Sequence, residues 1–126
     1  MKTDEEKIKG QQLRIKFYQN DLGKEPVKDW LKTLQKDARK AVGKDMMTVQ
    51  YGWPIGMPVV RALSGYKKLW EVRTELKGGI ARIMFTIYKD VIVLLHGIIK
   101  KSQKTPKKDI DIAEKRKKSF LKNQKN

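Results

Sequence analysis

Arg73 in LWEVR, Arg82 in ARIMF, Lys101 in KKSQKTP and the single histidine, His96, are the side chains whose types and spacing best suit chemistry. If Lys77–Gly78 is a two-residue loop between two strands, Arg73 falls directly opposite Arg82 on one face of the sheet. Two guanidinium groups so placed repel each other unless an anion or an acid lies between them. One reading is a clamp that grips a phosphate through planar, forked donors. The other is a charged ladder on a solvated sheet face, balanced by Glu71 and Glu75, which share that face. His96 is the only side chain whose ordinary pKa suits proton transfer near neutrality. With a regular hairpin turn at Lys89–Asp90 it opposes Ile83, on the face away from Arg82, and reads as a core or supporting residue. A bulge would reverse that facing.

The stretch HGIIKKSQKTPKKD, residues 96–109, carries five lysines straight off the most apolar run in the chain. A solubilising patch explains such a run. A basic rim for a phosphodiester backbone explains it too, and explains its position at a strand end. The balance of the chain points the same way: 30 Lys+Arg against 14 Asp+Glu give a formal net charge of +16. Such a field attracts polyanions, with nucleic acid first and an acidic protein next. Trp53, Tyr66 and Trp70 are the aromatics that could stack on bases, with core packing the expected job of Trp70.

Much chemistry is excluded. Without cysteine there are neither disulfides nor thiolate catalysis. No phosphate-loop or dinucleotide glycine signature occurs, and one histidine gives no metal-ligand spacing, so no cofactor and no metal is expected. The longest apolar run, Val91 to Ile99, is too short to span a membrane. A soluble cytoplasmic protein is the plain reading, with no membrane partner.

The elements that must position these residues follow from periodicity. LRIKFY, residues 13–18, alternates as a half-buried strand. From Pro26, apolar residues at Val27, Trp30, Leu31, Leu34, Ala38, Ala41, Val42, Met46, Met47 and Val49 have helical spacing, with Lys36–Asp37 as a break or an exposed turn. YGWPIGMP, residues 51–58, is a loop. Residues 67–76, 78–88 and 91–100 form a three-strand antiparallel meander, the last strand apolar on both faces. Thr105–Pro106 starts a C-terminal helix, with Thr105 as cap and a sparse apolar face of Ile110, Ala113, Phe120 and Leu121. The expectation is an α+β domain over residues 13–122: a small antiparallel sheet from an N-terminal strand, one or two helices, the meander, and the C-terminal helix. Residues 1–12 read as a flexible lead-in and 123–126 as a tail.

Glu71 and Arg73 in LWEVR, Arg82 in ARIMF, His96 and KKSQKTP carry a family likeness. Over about residues 13–121 the sequence resembles the HigB-type toxins of the RelE/ParE superfamily, in the phage-related branch. The resemblance implies a RelE-like sheet backed by helices. It also implies a toxin of a toxin–antitoxin pair that cleaves mRNA on the translating 70S ribosome and is silenced by a DNA-binding antitoxin. Arg73, Arg82 and Lys101 match its basic catalytic positions, and His96 matches as a supporting residue. Lys100 and Lys104, with Lys67 and Lys68, extend the RNA-binding set. ParE-type relatives, which act on DNA gyrase, and a non-catalytic RNA- or ribosome-binding module are the competing expectations.

Overall fold

LRIKFY pairs as its alternation requires: in the computed structural model, which describes residues 12–124, Arg14–Phe17 forms β1. Most of the lead-in expected at residues 1–12 lies outside the described residues. Helix α1 runs Pro26–Lys32 and opens on its proline, whose missing N–H costs nothing in a first turn. The Thr33 hydroxyl donates back to the Trp30 carbonyl at 2.6 Å. The helical pattern breaks there, three residues ahead of Lys36, which begins α2 (Lys36–Gly52). Strands β2 (Val60–Ala62), β3 (Trp70–Leu76), β4 (Gly79–Tyr88) and β5 (Val91–Lys100) follow, and α3 (Lys107–Asn123) closes the domain.

The five strands form one sheet in the order β1-β5-β4-β3-β2. β2 to β5 are antiparallel, but β1 lies parallel to β5, so the sheet is mixed rather than wholly antiparallel. No hairpin fixes the direction of β1. Two helices separate it from the meander, and it docks on the open edge of β5. β2 was not expected: three residues are too few to show an alternation. The first meander strand begins at Trp70, leaving Lys67 and Lys68 in the connection before it.

Both sheet faces are covered, which explains why β5 is apolar on each side. On one face α1 and α2 bury Val27, Val42, Met46 and Val49 against Val72, Ile83, Phe85 and Leu94. Met47, expected on this apolar face, is exposed. Trp53 is buried there, edge-on to Trp70 at 4.8 Å and to Phe85 at 5.7 Å. That places Trp53 in the core, with the half-buried Trp70 packed against it. Full burial of each such large side chain is worth about 1.5–3 kcal/mol. Gly97 of β5 is the contact point of α1: a Cβ there would come within 2.5 Å of the Trp30 ring. On the other face α3 lays Ala113 and Phe120 over Leu69, Met84, Val93 and Leu95. Among the described residues, no helix is long and apolar enough to cross a membrane.

Candidate functional site

The β3–β4 register puts Arg73 opposite Arg82, on the face that α3 covers. The pair is not on a solvated ladder, as one reading of the sequence had it. Arg82 is 0% exposed and Arg73 9%, because the segment between β5 and α3 folds over them. Beneath it, Arg73 Nη1 pairs with Glu71 Oε2 at 2.7 Å. The other carboxylate oxygen, Oε1, accepts from the Thr105 hydroxyl at 2.6 Å, and that hydroxyl accepts from Arg82 Nη1 at 3.0 Å. Glu75 is exposed at the far end of the strand, so of these two acids Glu71 is the one buried against the arginines.

Two guanidinium groups therefore share one carboxylate, and the balance falls on Arg82. Its Nε and Nη2 are buried and make no hydrogen bond to the described residues. Burial first, and the neighbouring Arg73 charge second, pull its pKa below the ordinary arginine value, with Glu71 opposing. A fully buried cation with two unused donors is costly unless an anion reaches it.

The loop after β5 supplies both a lid and a basic rim. Arg73 Nη2 donates to the Gln103 carbonyl at 3.2 Å and to its side-chain oxygen at 3.1 Å. Lys100, Lys101 and Lys104 are exposed around these contacts. Thr105 does not cap α3 as its position before a proline led us to expect. The N-cap is Pro106, without a side-chain bond, because the Thr105 hydroxyl is held by Glu71 and Arg82.

His96 changes face relative to the regular-register expectation. Pairing passes from Phe85 opposite Leu94 to Met84 opposite His96, so Leu95 is bulged out of the ladder. The bulge turns His96 from the Ile83 position to the face of Met84 and Arg82. There its Nε2 lies 2.8 Å from Asp109 Oδ1, in the first turn of α3. Arg116 Nη1 donates to the Leu95 carbonyl at 2.8 Å and sits 3.4 Å from His96 Nδ1. In the neutral ring, a carboxylate at Nε2 and a guanidinium at Nδ1 set the tautomer with its proton on Nε2, donated to Asp109. So placed, His96 ties β5 to α3 beside the arginine cluster.

The structure thus gathers Arg73, Arg82, His96, Lys100, Lys101 and Lys104 at one end of the β4–β5–α3 layer. Lys67 and Lys68 are not with them. The Lys68 carbonyl accepts from Thr86, six residues along β4 from Ile80, the partner of Lys100. That offset is about 20 Å at the rise of a strand. Four residues went unassigned in the sequence: Gln103, Thr105, Asp109 and Arg116. Only Thr105 carried a local signal, and it pointed to a helix cap.

Fold and cluster together define a small basic α+β domain of RelE-like build: a mixed sheet between helices, with a buried arginine pair under a lysine-rich loop. The chain belongs to the phage-derived Gp49-like protein family (DUF891), whose model matches residues 29–118, well over half of the chain. This is a toxin-like family of toxin–antitoxin systems. No curated protein sequence matches the chain.

Proposed function

We propose that this chain is a HigB-type toxin acting as a ribosome-dependent mRNA endoribonuclease, silenced by an acidic, DNA-binding antitoxin. The observation that carries the reading is the buried Arg73–Arg82 pair, with one carboxylate for two cations, beside the exposed Lys100–Lys104 rim. In the reaction the ribose 2′-oxygen attacks the adjacent phosphorus and the bond to the 5′-oxygen breaks. A 2′,3′-cyclic phosphate and a free 5′-hydroxyl result. The phosphate takes the place of Gln103 on Arg73 Nη2 and meets the unused Nε and Nη2 edge of Arg82, with Lys101 sharing the developing charge. His96, held by Asp109 and flanked by Arg116, positions α3 over the site. In this state neither ring nitrogen is free to take the 2′-hydroxyl proton, so the base is supplied by rearrangement of this pair or by the ribosome.

One observation favours a second reading. Arg73 is already neutralised by Glu71 at 2.7 Å, as a structural arginine would be. On that reading the protein is a ParE-like toxin acting on DNA gyrase, with no catalytic use of the pair. In-vitro translation of one defined mRNA with purified protein, followed by primer extension, separates the two. Cuts that need translating ribosomes and vanish with Arg82→Met establish the nuclease. Intact mRNA together with inhibited gyrase supercoiling establishes the second reading.

A further inference from the structure

At the opposite end of the α3 layer lies a cleft of about 960 Å³ that the proposed reaction does not use. Its walls are the segment before β3, the β4–β5 turn and the C-terminal half of α3. Tyr88 and Leu121 give it an apolar floor on the α3 side of the sheet, and Lys67, Lys68, Lys89 and Lys118 stand exposed around the rim. A fifth lysine, Lys117, is 6% exposed. Its ammonium is fixed by the Lys67 carbonyl and by Glu114 Oε1, the latter at 2.7 Å. Among the described residues, Glu114 is the one acid lining the cleft, against five lysines.

That chemistry selects among polyanions. Arginine forks, the natural grip on phosphate, line the other end of the layer, and none is among the described residues of this cleft. Nor is an aromatic platform open to a base: the Tyr88 ring has the Lys89 ammonium 5.4 Å from its centroid and the Phe120 ring edge-on at 5.7 Å. An apolar floor inside a ring of point charges instead fits a segment with apolar side chains on one face and carboxylates on its flanks. We propose that this cleft docks an acidic amphipathic helix of a protein partner, about 13–20 Å along β4 from Arg82. The proposal stands independently of the nuclease reading. It also implies that the partner can be held while the Arg73–Arg82 end stays uncovered.

The test is fluorescence anisotropy with a labelled helical peptide of glutamate, leucine and alanine whose leucines lie on one face. Three controls accompany it: the same residues scrambled, a single-stranded oligodeoxynucleotide of equal charge, and a salt titration. Lys89→Glu with Lys118→Glu, both exposed, should weaken the amphipathic peptide about tenfold. Lys36→Glu with Lys40→Glu, an equal charge change on α2 across the sheet, should leave it bound. Arg82→Met should leave it bound as well, whether or not that variant cleaves RNA. Equal loss in the two double variants would reduce the effect to net charge and overturn the proposal. So would scrambled peptide binding as tightly, or an oligonucleotide displacing the peptide with the same dependence on Lys89 and Lys118.

Discussion

The two ends of the α3 layer use positive charge in opposite ways. At one end two arginines are buried, locked to Glu71, Gln103 and Thr105, and covered by a loop. At the other, four exposed lysines ring an open apolar cleft, and a fifth, Lys117, is buried and tied down. The difference follows from the groups themselves. Guanidinium is planar, weakly hydrated and always charged, so it can be buried and aimed at a fixed point. Ammonium is strongly hydrated and serves best at a wet rim, where it steers and selects without fixed geometry. A site that must hold one phosphate during bond making needs the first kind. A surface that must recognise a flexible acidic partner needs the second.

Removing the carboxylate that lies between the two arginines breaks the comparison most severely. Glu71→Ala leaves Arg73 and Arg82 facing each other without a counter-charge and takes the acceptor from Thr105. The expected loss is about 3–5 kcal/mol of stability, as for a broken buried ion pair, read from urea denaturation. The Lys89→Glu and Lys118→Glu pair at the open end should leave the unfolding midpoint where it was. If Glu71→Ala is equally silent, the buried cluster is hydrated in solution and the contrast between the ends disappears.

Arg82→Met sharpens the same contrast by separating function from stability. Methionine keeps most of the volume and removes two unused donors and a like-charge neighbour of Arg73. Thermal stability should stay level or rise, because a poorly compensated buried charge is replaced by an apolar chain. Cleavage of ribosome-bound mRNA should fall by about 100-fold or more, the scale for losing one preorganised donor to a developing oxyanion. A stable, fully active variant would remove Arg82 from the site. Gln103→Ala acts more gently and in the other direction. It frees Arg73 Nη2 from its side-chain acceptor while the exposed loop keeps its backbone course. Binding of a non-cleavable 2′-O-methyl RNA should tighten by about threefold, the scale of one modest hydrogen bond released to a ligand. Unchanged or weaker binding would mean that Gln103 supports the site instead of occluding it.

The arginine pair was legible in the sequence because a two-residue hairpin loop fixes register, and register fixes facing. What surrounds the pair was not. The Leu95 bulge shifts one residue of a ladder and turns His96 to the other face, and no local signal in VIVLLHGIIK marks it. Asp109 and Arg116 meet His96 only through the tertiary placement of α3. Thr105 carried the signal of a helix cap, yet a buried carboxylate and a buried guanidinium hold its hydroxyl more strongly than a helix end does. Parallel β1 was hidden for a similar reason: alternation gives a strand's two faces, not its direction. The lysines misled in position more than in kind. The expected RNA-binding set held Lys67 and Lys68 with Lys100 and Lys104, and topology carries them to the far end of the sheet.

The smallest effect should come from the β4–β5 turn at that far end, where Asp90 ties β1 to the hairpin. Its Oδ1 lies 2.9 Å from Arg14 Nη2, and its Oδ2 accepts from Arg14 Nε at 3.2 Å. The hydrogen bond to Arg14 first, with desolvation opposing and the Arg14 charge adding to it, holds the Asp90 pKa below the ordinary 3.8. A carboxylate whose folded pKa lies below its unfolded value stabilises the fold above the unfolded pKa. That contribution is lost as pH falls through the folded one. Asp90→Asn should therefore lower the melting temperature slightly at neutral pH, since the pair is exposed and screened. The gap to wild type should close as pH drops below the carboxylate range, and should shrink in high salt at neutral pH. A gap that persists in acid would mean that Asp90 acts through the shape of its turn, where Lys89 holds a left-handed φ of 55°. In that case the open end of the layer is set by backbone conformation as firmly as the closed end is set by charge.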